Sequence, residues 1–282
     1  MDSARALTRL TPMLFASLLA SLALQAPADL DGLFAHAERD PAAVVPLIER
    51  ASERLGQLDG PAGHALAERL APFAARAFLG QERLPGMERL GLALHPLQRA
   101  ELPGAVARRN RIGPGLLGFL NERYDERKLR AGQQLKVLDL ASRPLQLVVD
   151  RSRYRLAAWR GTEGGGWTLV AYWPVGLGAP ESPTPPGRTR VLERVRDPEW
   201  THPVSGEVIP PRDPRNLLGG YWIALDAGPL GKPGIGLHGF TGAAPADWIE
   251  QPASNGCVRL RQEDVERLFH LALEGTPVTI LE

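Results

Sequence analysis

Apolar positions change their spacing along this chain, and the changes divide it into three stretches. From residue 29 to about residue 91, Leu33, Phe34 and Ala37, then Val44, Val45, Leu47, Ile48 and Leu55, recur three and four apart, the period of a helix with one buried face. Asp59-Gly60-Pro61 interrupts the pattern, which resumes with Leu66, Leu70, Phe73 and Ala77, so a helical region over 29–91 is predicted. Over 92–140 the chain predicts short helices around "PGAVARR" and "PGLLGFLN". After the turn at Gly132, the alternation of Leu135 and Val137 predicts a strand. Beyond Pro144 short β-rich runs dominate: "LQLVVD", "YRLAAWR", "WTLVAYWPVG", "TRVLERV", "YWIALD" and "GIGLHG". Between them lie the loops "GAPESPTPPG" and "PVSGEVIPPRDPRN", long enough to build a cleft. One clear helix follows, from Gln262 to Glu274, with Val265, Leu268, Phe269 and Ala272 on its apolar stripe, Glu263 and Asp264 in its first turn and Gly275 just past its end. The strand "PVTIL" closes the chain.

The N-terminus follows a different logic. Arg5 and Arg9 precede the apolar run from Pro12 to Leu24, followed by Ala26-Pro27-Ala28, which is the order of a secretory signal peptide over 1–28. The run is short for a bilayer span. The expected location is therefore periplasmic or extracellular, with membrane attachment only if this segment stays uncleaved. Apolar residues at 44% and charged residues at 23% exclude a disordered or fibrous protein. With 33 basic and 32 acidic residues the net charge is +1, and nothing in that balance calls for nucleic acid.

The secretion-like start makes the single cysteine informative. Cys257 has no partner for an intramolecular disulfide, which leaves a buried apolar residue, an intermolecular bridge or a reactive thiol. A reactive thiol needs a base or a positive field, because free cysteine has a pKa of about 8.5. His238 is the candidate base: it ends the apolar "GIGL" and precedes Gly239, where a side chain can project into a cleft. His36 and His64 fall on the N-terminal helices, and His270 lies on the C-terminal helix away from its apolar stripe. No histidine or cysteine cluster indicates a metal, and no cofactor is expected.

Read together, His238-Gly239 and, with 15 residues separating His238 from Ser254, the run Ser254-Asn255-Gly256-Cys257-Val258-Arg259 resemble the catalytic domain of the YkuD family of L,D-transpeptidases. That family carries a His-Gly pair, a similar spacer and Ser/Thr-His-Gly-Cys with Asn or Arg two places on. "TPPG" at 184–187, "DPEW" at 197–200, "NLLGG" at 216–220 and the ending "GTPVTIL" extend the resemblance over about 145–282. It implies a cell-wall enzyme in which Cys257 attacks a peptidoglycan tetrapeptide stem, releases D-Ala and passes the acyl group from a thioester to an amine. His238 would be the base, oriented by the Gly239 carbonyl, and the Gly256 and Cys257 amides would form the oxyanion hole. Ser254 would fix the turn, and Arg259 would bind a substrate carboxylate or form the polar floor of the cleft. Asn255 departs from the family, which usually has histidine there; altered acceptor choice or thiol pKa is the expected consequence. Tyr221, Trp222 and Trp248 flank the motif and are candidates for the cleft wall, although packing in a β-core explains them equally.

Residues 129–138 also resemble the last turn and strand of a LysM module, which would imply binding to glycan strands containing N-acetylglucosamine. The beginning of that module is replaced by "ALHPLQRAELPG". The expectation is thus an α+β multidomain protein: signal peptide 1–28, helical region 29–91, LysM-like α/β module 92–140, and a mainly β, sandwich-like catalytic domain with one clear helix over 144–282. Two rivals stand beside the transpeptidase. A carboxypeptidase would use water as acceptor, and a non-catalytic glycan-binding wall protein is favoured by Asn255 and opposed by the intact His238 and Cys257.

Overall fold

A buried serine on a helix shows how the first stretch is joined to the last. The computed structural model describes residues 30–203, 205–242 and 248–282, so the expected signal peptide lies outside the described residues. The first stretch folds as α1 (Leu30–Ala37), α2 (Val44–Leu55) and α3 (Gly60–Phe78). Val44, Leu47, Ile48, Ala51 and Leu55 form the buried face of α2. Ser52, on the same face, accepts the Leu169 N–H through its hydroxyl at 3.1 Å, satisfying a donor on a strand of the third stretch.

The middle stretch folds as β1 (Leu92–Pro96), α4 (Pro103–Arg109), α5 (Pro114–Leu120) and β2 (Gln134–Leu138). β1 pairs antiparallel with β2, Leu92 opposite Leu138. The sequence reading has no strand at β1. Only Leu92 of its five residues is buried, so alternation carries no signal there, and pairing with the apolar β2 sets its conformation. Lys136 of β2 is fully buried, and its Nζ donates to the carbonyls of Ala77, Gly80 and Glu82 at 2.6–2.7 Å, tying the C-terminal end of α3 to this unit. Burial pushes its pKa down to about 8.

The third stretch comprises β3 (Leu145–Asp150), β4 (Arg155–Gly161), β5 (Trp167–Pro174), β6 (Leu177–Gly178), β7 (Gly187–Arg196), β8 (Trp200–Thr201), β9 (Val208–Ile209), β10 (Tyr221–Leu225), α6 (Ala227–Leu230), β11 (Gly236–Gly239), β12 (Pro252–Ser254), β13 (Val258–Leu260), α7 (Gln262–Leu271) and β14 (Pro277–Leu281). Eight of these strands form one mixed sheet in the order β13-β11-β10-β7-β14-β3-β4-β5. The expected sandwich is replaced by this single curled sheet. Its two edges meet because the chain leaving β5 exchanges two hydrogen bonds between Gly176 and Arg259, at 2.9 and 2.8 Å, and β6 then pairs with β12. Curling lets one sheet enclose its own apolar side.

α7 ends at Leu271, short of the expected Glu274. Ala272 turns extended (φ −95°, ψ 101°), and the Gly275 N–H donates to Val191 O at 2.8 Å rather than into the helix. His270 is packed rather than solvent-facing. Its carbonyl accepts the Gly113 N–H at 2.6 Å, and a Cβ at Gly115 would lie 2.2 Å from its ring, so α5 meets α7 where glycine leaves room.

Candidate active site

Strand register sets the geometry. β11 lies between β10, its antiparallel neighbour, and β13, its parallel neighbour, so that Trp222, His238 and Arg259 form one row across three strands. Side chains alternate between faces along a strand, which puts this row on one face and Tyr221, Leu237 and Val258 on the other. Cys257 immediately precedes β13. Since Leu237 is opposite Val258, Cys257 stands beside Gly236, and His238 is its diagonal neighbour on the same face.

His238 is buried, and its Nδ1 hydrogen-bonds the Gly239 carbonyl at 2.5 Å. A carbonyl only accepts, so Nδ1 carries the proton and Nε2 keeps its lone pair. Burial pushes the imidazole pKa down to about 4, the Gly239 carbonyl opposes that shift, and the charge of Arg259 adds to it. The ring is therefore neutral near pH 7. It lies 5.7 Å from the Trp222 ring, centroid to centroid. Trp222 also fills the space beside Gly236, where a Cβ would come within 2.7 Å of the indole.

The cysteine sits on a hydroxyl-braced turn. Ser254 Oγ donates to the Cys257 carbonyl at 2.6 Å and accepts the Gly256 N–H at 3.2 Å. Gly256 has φ +109°, and a Cβ there would lie 2.8 Å from both Ile235 Cδ1 and Lys232 Nζ. Cys257 Sγ donates to Gly234 O at 3.4 Å. Burial raises the thiol pKa, while the Gly236 backbone and then the charges of Arg259 and Lys232 pull it back. Of the two amides expected to form the oxyanion hole, the Gly256 N–H is therefore already engaged by Ser254. Asn255 is exposed at the tip of the turn.

The Arg259 guanidinium lies 4.1 Å from the centre of the Phe240 ring and donates to Ala253 O at 3.1 Å. Phe240 in turn packs edge-on against Trp248 at 5.3 Å. Tyr221 is a correction to the expected cleft wall: it faces α7, packs at a tilt against Phe269 with ring centres 5.1 Å apart and donates to Glu266 Oε1 at 2.6 Å. The alternation that places Trp222 beside His238 sends its neighbour to the other face. Lys232, whose Nζ donates to Ser182 Oγ at 2.8 Å, was not singled out in the sequence. A lysine in the turn "GKPG" carries no pattern that would distinguish it from a surface residue.

Residues 144–280 match the family model described as YkuD, the L,D-transpeptidase catalytic domain. This stretch is thus similar to that family. The L,D-transpeptidase match continues among curated proteins. "Probable L,D-transpeptidase 3" of Mycobacterium tuberculosis is 34% identical over 110 residues, covering 39% of this chain and 38% of that protein. "Probable L,D-transpeptidase YbiS" of Escherichia coli K12 is 34% identical over 129 residues, covering 42% of this chain and 39% of that protein. The chain thus spans less than two thirds of either relative's length. A crystal structure of L,D-transpeptidase 3 from Mycobacterium tuberculosis is similar with a TM-score of 0.38 and 18% identity, over 54% of this chain and 66% of that one.

Proposed function

We propose that the protein is a cysteine-dependent peptidoglycan L,D-transpeptidase acting outside the cytoplasm. The observation that carries this reading is the pairing of a neutral histidine, its Nε2 lone pair fixed by the Gly239 carbonyl, with the chain's single cysteine as its diagonal neighbour on the adjacent strand. His238 Nε2 takes the Cys257 proton and the thiolate adds to the carbonyl carbon of the third stem residue. The oxyanion forms against the Cys257 N–H. The C–N bond then breaks, the imidazolium returns its proton to the departing D-Ala amine, and a thioester remains. An incoming amine attacks the thioester, His238 takes the amine's proton, and that proton ends on the released Cys257 sulfur. Water in place of the amine gives the carboxypeptidase outcome by the same steps.

The β1-α4-α5-β2 order with paired terminal strands favours a LysM-like reading of 92–140, and with it contact to glycan strands. Secretion through residues 1–28 would bring the enzyme to that substrate.

The test is mass spectrometry of tetrapeptide muropeptides incubated with the protein and with its Cys257→Ala form. The expected result is cross-linked product and free D-Ala with the first and neither with the second. D-Ala release without cross-links would move the assignment to carboxypeptidase. Turnover that survives Cys257→Ala would remove the cysteine mechanism.

A further inference from the structure

Lys232 brings a second positive charge to the nucleophile. It sits in the turn between α6 and β11, two residues before the carbonyl that accepts the Cys257 thiol. Its Nζ lies 2.8 Å, and its Cε 3.4 Å, from the point a Cβ on Gly256 would occupy, which sets the ammonium against the face of the turn next to Cys257. Its hydrogen-bond partner is a neutral hydroxyl, Ser182 Oγ, on the proline-rich loop that follows β6. Among the described residues it forms no ion pair, and it is half-buried rather than out in solvent. Arg259, the other cation whose charge reaches the thiol, is already engaged by the Phe240 ring and the Ala253 carbonyl. A lysine beside a nucleophile, held by one hydroxyl and with no carboxylate to neutralise it, has donors to spare for an anion.

Reach decides which anion. In a reactive complex the attacked carbon stands about 3–3.5 Å from the sulfur. The free carboxylate of the leaving residue is one residue further along, about 3.8 Å by the Cα spacing of a trans peptide. A carboxylate at the end of the third residue's side chain is tethered several bonds farther away. We propose that Lys232 binds the terminal carboxylate of the departing residue and is thereby the residue of this chain that recognises the tetrapeptide end of the stem. This rests on the proposed L,D-transpeptidase reading of the site. Stems extended by a further residue or amidated at that carboxyl would leave the ammonium unpaired and bind more weakly.

The experiment compares two synthetic tetrapeptide stems, one with a free C-terminal carboxylate and one with a C-terminal amide. Titration calorimetry on the full chain carrying Cys257→Ala measures binding without turnover. The acid is expected to bind about tenfold more tightly than the amide, as one charge-assisted hydrogen bond warrants. Adding Lys232→Met should bring the two affinities together, and Lys232→Arg should keep the preference for the acid, which also controls for misfolding. With Cys257 present, Lys232→Met should raise KM for the acid towards that of the amide. An acid preference that survives Lys232→Met, equal binding of the two stems by the parent, or no binding of either overturns the proposal. So does a kcat loss equal for both substrates, which would place Lys232 at the oxyanion instead. Failure of the parent enzyme to release D-Ala while the acid preference responds to Lys232 would overturn the reaction and leave the carboxylate site standing.

Discussion

At Cys257 and His238 the protonation states differ from those of a preformed ion pair. The thiol is pushed above its ordinary value by burial, and the imidazole is pushed down to about 4, so near neutral pH both are uncharged. In the proposed reaction the proton is therefore moved during attack rather than beforehand. Alkylation by iodoacetamide, which labels the single cysteine, should therefore be slow at pH 7 and rise about tenfold per pH unit towards pH 9, following the thiolate. A thiolate–imidazolium pair would instead give a plateau from about pH 4 upward, and that plateau would refute the assignment of states. Turnover should persist as pH falls and be lost as His238 takes a proton near pH 4, because the protonated ring cannot act as base. Both residues were legible in the sequence, one as the only cysteine and the other at the end of an apolar strand before glycine. The place of Lys232 and the packing of Tyr221 against α7 were not legible, because each depends on what lies across a turn or behind a strand.

At the scale of the element, the decisive piece is the four-residue turn from Ser254 to Cys257. Two restrictions meet at Gly256: its φ of +109° disfavours any side chain, and the space is occupied by Ile235 and Lys232. Gly256→Ala should cost roughly 1–3 kcal/mol of stability from backbone strain alone, read as a lower urea midpoint. Turnover should fall by more than that loss of folded population explains, since the Cys257 N–H and Sγ ride on the same turn. A variant with unchanged midpoint and full activity would show that the turn tolerates a side chain. Elements whose buried face repeats, such as α2 and α3, were readable from spacing. β1 and the early end of α7 were not, because partners far away in the chain decide them: Leu138 faces Leu92, and Val191 takes the Gly275 N–H. The curl of the sheet has the same origin, in the pairing of Gly176 with Arg259.

Across the whole molecule, the three stretches read from the sequence share one continuous core, from Phe34 on α1 to Ile280 on β14. Buried or half-buried polar side chains cross each junction. Arg155 of β4 pairs with Glu68 of α3 and with Glu250, just ahead of the cysteine segment, so the helical region is linked through one guanidinium to the chain that carries Cys257. Tyr172 of β5 meets His64 of α3 at 2.8 Å. Lys136 is the most enclosed of these links, and removing it leaves three carbonyls at the end of α3 without their donor. Lys136→Met keeps the apolar stem and removes the charge. The loss of hydrogen bonds to a buried ammonium, at about 1.5–3 kcal/mol for each charged bond, predicts a destabilisation of several kcal/mol. If the shared core makes the protein one cooperative unit, the urea transition should shift as a whole and monitors in the helical and β regions should move together. Two separated transitions in the parent would show instead that the stretches unfold independently, and Lys136 would then stabilise only the contact between α3 and β2.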